Sequence, residues 1–110
     1  MKDIVFVGQS LNNLKEFSLD ARREAGYQLD KVQHGENPFD WKPMQTVGSG
    51  VREIRITDSD GAFRVIYVAK FEKVVYVLHA FQKKTQKTRK ADLDIAKRAY
   101  KKVIEEHDDG

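Results

Sequence analysis

The residues of this chain that could do chemistry are mostly cations, and they crowd into one segment. An apolar run, Val74-Val75-Tyr76-Val77-Leu78-His79-Ala80-Phe81, passes at once into Gln82-Lys83-Lys84-Thr85-Gln86-Lys87-Thr88-Arg89-Lys90. Between Gln82 and Lys102 stand nine Lys or Arg against only Asp92 and Asp94. A cluster that dense at the end of a buried strand suits an anionic partner held against fixed sheet. It equally suits a solvated basic helix. Arg55 and Arg64 lie on either side of a short turn, and a guanidinium stays charged and forks onto two oxygens, as a phosphate requires. Lys83 or Lys84 can move a proton at neutral pH only where neighbours push its pKa down toward about 7, and a run of cations pushes that way. His79 is a second proton-transfer candidate, beside the plainer reading of a satisfied core histidine.

Those side chains matter only if the backbone gathers them. Asp58-Ser59-Asp60-Gly61 is a hairpin turn between strands expected at 51–57 and 62–71. Its register sets Arg55 opposite Arg64, Ile54 opposite Val65 and Ile56 opposite Phe63. Alternation then gives Ile54, Ile56, Phe63, Val65 and Tyr67 a core face and puts the two arginines side by side on the other. Like charges directly opposite are destabilising. Either Glu53, a diagonal neighbour, relieves the pair, or a bound phosphate does. A second turn at Glu72-Lys73 leads to a strand at 74–81, with Arg64 facing Phe81 and Ile66 facing His79. A two-residue turn without Gly or Asn is uncommon, so a one-residue slip, which would send His79 and Phe81 to the core side, stays open. In the unslipped register one face collects Glu53, Arg55, Arg64, His79, Phe81 and Lys83. Cations beside an aromatic ring suit single-stranded RNA, with charge for phosphates and a flat surface for a base.

The rest of the chain supplies the scaffold. Ile4–Val7 reads as a strand ended by Gly8. Ser10 reads as the N-cap of a short helix with Leu11, Leu14 and Phe17, and a longer helix carries Leu19, Ala21, Ala25, Leu29 and Val32 up to Gly35. Residues 36–50, rich in Pro and Gly, read as a connecting loop that Trp41 and Met44 tuck against the body. Leu93, Ala96, Tyr100 and Val103 predict a terminal helix, with Thr88 as its N-cap. His34 reads as a helix C-terminal partner, and His107 as part of a fraying acidic tail. The sum is one α+β domain over 1–110: a small, mainly antiparallel sheet with two N-terminal helices and a C-terminal helix. At 110 residues it can hold a core without staples. Strand 74–81 is apolar on both faces, so one is expected to receive a partner or the chain's own terminal helix.

The net charge of +3 hides an asymmetry, because residues 1–50 carry six basic and seven acidic groups while 51–104 carry fourteen and six. There is no cysteine, no histidine pair at metal-ligand spacing, and no P-loop or dinucleotide motif, so no metal or cofactor is expected. No apolar run approaches the length of a membrane span, and a cytoplasmic protein is expected.

Three segments carry a family resemblance: Gly50-Val51-Arg52-Glu53-Ile54-Arg55, Phe63-Arg64-Val65-Ile66-Tyr67, and Val77-Leu78-His79-Ala80-Phe81-Gln82-Lys83-Lys84-Thr85-Gln86-Lys87-Thr88. Together they resemble the RelE/ParE superfamily of toxins, in particular its phage-related, HigB-like branch of type II toxin–antitoxin systems. The resemblance spans nearly the whole chain and implies a RelE-like fold. It implies a ribosome-dependent mRNA endonuclease that needs no metal, neutralised by a cognate antitoxin of helix-turn-helix type, with ribosome and mRNA as its other partners. In those terms Arg64 matches the arginine that binds the scissile phosphate, Arg55 a basic residue on the preceding strand, and Lys83 or Lys84 the basic position after the last strand. Phe81, Lys87, Arg89 and Lys90 are expected along the RNA. Glu53 stands where RelE is basic, and the tyrosine after the last strand is absent. The acid and base therefore stay unassigned, and a protein that binds nucleic acid without cutting remains an alternative. ParE relatives inhibit DNA gyrase on a similar scaffold, which keeps a third reading open.

Overall fold

A sheet that is apolar on both faces must be covered on both, and this chain does so with its own helices. The computed structural model describes residues 1–108. In chain order the elements are β1 (Asp3–Phe6), α1 (Ser10–Lys15), α2 (Leu19–Gln33), β2 (Trp41–Pro43), β3 (Val51–Asp58), β4 (Gly61–Val68), β5 (Val74–Lys83) and α3 (Lys90–Asp108). The strands form one sheet in the order β1-β5-β4-β3-β2. Only the β1–β5 pairing is parallel. The expected α+β class holds, with one strand more than the sequence suggested. Trp41–Pro43 lies in the supposed loop, yet pairs with the outer edge of β3 through Trp41 opposite Ile54. A proline is tolerated there because an edge strand can spare a donor.

The first core lies under α1 and α2. Leu14, Phe17, Ala21, Ala25, Leu29 and Val32 pack on Ile54, Ile56, Phe63, Val65, Tyr67, Val75 and Val77. This includes the core face expected for the first hairpin. Ser18 caps α2, accepting from Ala21 N at 3.2 Å, and its hydroxyl donates to Asp58 Oδ2 at 2.6 Å. One serine thus ties the start of the helix to the β3–β4 turn. Gly35, at φ +82°, ends α2 where a side chain would strain the backbone. His34 Nδ1 donates to Asp30 O at 2.8 Å, as expected of a C-terminal partner.

The second core lies under α3, where Ala96, Ala99 and Val103 meet Val51, Ile66, Val68, Tyr76, Leu78 and Phe81. The helix is fixed at its middle by Tyr100, whose hydroxyl donates to Ser49 O at 3.0 Å. Gly48 is required for this, because a Cβ there would sit 2.3 Å from the Tyr100 ring.

Three local expectations need correction. Ser10 is not a cap: Gln9 holds that position, and the Ser10 hydroxyl instead donates to Val77 O at 3.1 Å, docking α1 on β5. Thr88 lies too early to cap α3, which starts at Lys90. His107 does not fray, since its ring stacks on Phe71 at 3.9 Å and its Nε2 bonds Tyr76 Oη at 2.9 Å. Asp109 and Gly110 lie outside the described residues.

The β3–β4 register is the one the turn dictated, with Arg55 opposite Arg64. Between β4 and β5 the expected register holds from Ala62↔Lys83 to Ile66↔His79 and then shifts by one, so that Tyr67 faces Val77. Leu78 is the extra residue of a bulge, so Leu78 and His79 both turn toward α3. The slip falls beyond His79, and His79 and Phe81 keep their expected face.

Candidate nucleic-acid interface

The paired arginines sit where β3 and β4 run toward their turn, on the sheet face that α3 shares. Arg64 is held on three sides. Its Nη1 donates to Phe63 O at 3.0 Å, its Nε lies 3.6 Å from Glu53 Oε1, and Phe81 stands opposite on β5. Only 11% of its side chain is exposed. Burial lowers its proton affinity, Glu53 opposes that shift, Arg55 adds to it and Asp40 opposes it again. A guanidinium keeps its charge at neutral pH through such a shift. Arg55 is more open: its Nε donates to Asp40 Oδ1 at 3.2 Å, and its backbone N–H donates to Asp40 O at 2.8 Å.

Glu53 resolves the like-charge problem in the way the sequence left open. Its carboxylate is fully buried, 3.6 Å from Arg64 Nε and 3.8 Å from Lys42 Nζ. Neither of its oxygens receives a hydrogen bond, and Arg64 Nε donates none. A buried ion costs several kcal/mol unless its partners are well placed. This cluster therefore carries electrostatic tension on a stiff piece of sheet, with Arg55 open to an incoming anion.

His79 is the clearest revision. It is buried, its Nε2–H donates to Asp92 Oδ1 at 2.8 Å, and its ring stacks on Phe81 at 5.1 Å. Asp92 lies on α3 and also accepts from Arg89 Nε at 3.5 Å. The plain reading of a satisfied core histidine fits this geometry: His79 fastens the start of α3 to β5. Phe81 is likewise mostly covered, with its ring stacked on His79.

The remaining cations divide among three places. Lys83 ends β5 opposite Ala62, near the arginine pair. Lys84 and Arg89 line a cleft of about 410 Å³ with Glu16, Phe17 and Phe81. That cleft opens along β5 beyond Val77, where β1 no longer pairs. Lys87 is exposed on the β5–α3 connection, and Lys90 donates to Asp94 Oδ2 at 2.7 Å. Sequence reasoning missed Asp92, Asp40 and Lys42 as partners. For Asp92 a signal existed, since it is a lone acid in the first turn of a basic helix. Asp40 and Lys42 needed β2, which the prolines hid.

Among the described residues no three His, Cys, Asp or Glu side chains gather to hold a metal ion. No helix among them is long and apolar enough to cross a membrane.

No curated protein matches the chain. Residues 12–101 match the family model described as phage derived protein Gp49-like (DUF891), a span from α1 through most of α3. The chain belongs to that family of phage-derived Gp49-like proteins.

Proposed function

We propose that this Gp49-like protein is the toxin of a type II toxin–antitoxin pair, and that it cuts mRNA on the ribosome. The RelE-like, HigB-like character read from its sequence motifs supports this, and one structural observation carries it. Arg55 and Arg64 stand opposite each other on adjacent strands, with a buried Glu53 holding Arg64 in place. Metal-independent RNA cleavage needs the 2′-hydroxyl deprotonated, the five-coordinate phosphorus stabilised and the leaving 5′-oxygen protonated. The 2′-oxygen forms the new bond to phosphorus as the bond to the 5′-oxygen breaks. Arg64 stabilises the charge on the non-bridging oxygens and Arg55 captures the phosphate from solvent. Lys83 and Lys84 are the candidates for proton transfer. Lys84, Lys87 and Arg89 follow the RNA backbone, with Lys90 weakened by Asp94. A helix-turn-helix antitoxin, ribosome and mRNA are the partners this reading requires.

A second reading, a toxin-like module that binds nucleic acid without cutting, is favoured by the His79–Asp92 bond. That bond removes the one imidazole near the arginines from proton transfer. Induction of the protein alone in bacteria, with mapping of mRNA ends during arrest, separates the readings. Codon-phased ends on translated messages support the nuclease. Arrest with DNA-damage signalling points to a gyrase poison, and growth without arrest to the binding module.

A further inference from the structure

The opposite face of the sheet carries a second polar site that the arginine pair does not use. A cavity of about 290 Å³ lies between the end of α2 and the far ends of β3 and β4. Its wall includes Lys2, Glu36, Arg52, Tyr67 and Lys70. Tyr67 is almost completely buried, and its hydroxyl, which the Arg52 guanidinium approaches as a donor, reaches no acceptor of its own. A buried O–H left without an acceptor costs about 1–3 kcal/mol, so its persistence at a cavity wall points to a missing acceptor. Burial pushes the Tyr67 phenol up while Arg52 beside it opposes, so the hydroxyl stays protonated at neutral pH and is available as a donor.

Its neighbours are donors too. Arg52 lies with its guanidinium 4.0 Å from the centre of the Trp41 ring and gives one Nη1 bond to Asn37 Oδ1. The same guanidinium also meets the Tyr67 hydroxyl, and its remaining N–H groups are available to a ligand. Lys2 Nζ donates to Ala69 O at 2.6 Å and retains two further protons. Lys70 Nζ donates to Tyr100 Oη at 3.0 Å. The cations left to the wall are Lys2 and Arg52 against Glu36, a net single positive charge that favours an anion such as phosphate. The volume lies at the lower end for small-molecule sites and has room for a phosphate with at most a small attached group.

We infer that this cavity binds the phosphate group of a small phosphomonoester through Arg52, Lys2 and the buried Tyr67 hydroxyl. Arg52 and Tyr67 are cross-strand partners on the α2 face of the sheet, whereas Arg55 and Arg64 project from the α3 face. The two sites are therefore separate.

Trp41 is the sole tryptophan and touches Arg52, so it reports on the site. Inorganic phosphate and glycerol 3-phosphate are titrated at constant ionic strength, with chloride as control. Tryptophan fluorescence and calorimetry are read together. The expected result is saturable binding, weakened about ten- to a hundredfold by Tyr67→Phe, lost in Arg52→Gln by calorimetry, and unchanged in Arg64→Ala. Tighter binding of the ester than of phosphate identifies a phosphomonoester ligand, and equal binding identifies free phosphate as sufficient. Non-saturable binding, or full affinity in a folded Tyr67→Phe protein, overturns the inference. Loss of binding in a folded Arg64→Ala protein overturns it as well, by returning the signal to the arginine pair.

Discussion

Replacing His79 or Asp92 distinguishes a proton-transfer histidine from an anchor. The bond is short at 2.8 Å and removed from solvent. A hydrogen bond involving a charged group contributes about 1.5–3 kcal/mol. His79→Ala also loses the stack on Phe81 and opens a hole, so its total cost exceeds the bond alone. Asp92→Ala loses the same bond without the hole and releases Arg89. A double-mutant cycle removes those private costs and isolates the pair, and the expected coupling is about 1.5–3 kcal/mol. In a domain of this size 1 kcal/mol moves the melting temperature by about 4 °C or a little more, so Asp92→Ala should melt roughly 6–12 °C lower. The assay is urea and thermal unfolding of wild type, both single variants and the double variant. A coupling within about 0.5 kcal/mol of zero would refute the anchor. So would a His79→Ala protein as stable as wild type but devoid of activity.

Three further outcomes follow from other contacts. Ser18→Ala should cost about 1–2 kcal/mol, because it removes the α2 cap and frees Asp58. The Ser18 bond holds the Asp58 carboxyl below its ordinary value of 3.8, so the stability this gives is present above that pH and is lost as pH falls through the folded value. Acid unfolding curves of Ser18→Ala should therefore be flatter below about pH 4 than those of wild type, and parallel curves would contradict the link. Gly48→Ala should lower stability by about 1–3 kcal/mol by driving a Cβ into Tyr100, and hydrogen exchange should rise along α3. Lys87→Ala should reduce the salt slope of RNA binding by about 0.7, and Lys90→Ala by less, because Asp94 already neutralises Lys90. Equal slopes in both variants and wild type would make this segment a solvated helix start.

The first hairpin was legible because Asp58–Gly61 has the turn chemistry that pins register, and pinned register places every side chain. The arginine pair followed from that one turn, with Glu53 as one of two ways to relieve it. The opposition of Arg64 to Phe81 rested on the second turn and held because the shift in register falls beyond it. The β4–β5 connection has no such signal. β4 ends at Val68, a five-residue link replaces the tight turn, and the Leu78 bulge absorbs the misfit within the sheet. β2 was invisible for a different reason. Three residues including a proline have no strand pattern of their own, and the open edge of β3 recruits them. His79 looked like chemistry because an isolated histidine on an apolar strand carries no mark of its partner, which lies thirteen residues later on a helix. The His107 stack on Phe71 was hidden by the acidic residues around it, which suggested a solvated tail.

The most direct test of the central claim is cleavage of a translated message by purified protein on programmed ribosomes, with wild type and Arg64→Ala compared. Because Arg64→Ala leaves the Glu53 charge buried beside Lys42 alone, an Arg64→Ala/Glu53→Gln protein accompanies it, and each is first shown to be folded by its melting curve. The account predicts codon-phased cleavage by wild type, a fall of about 10²- to 10³-fold in both variants, and ribosome binding retained within a few-fold. Undiminished cleavage by the folded variants, or ribosome binding by wild type with no cleavage, would contradict it.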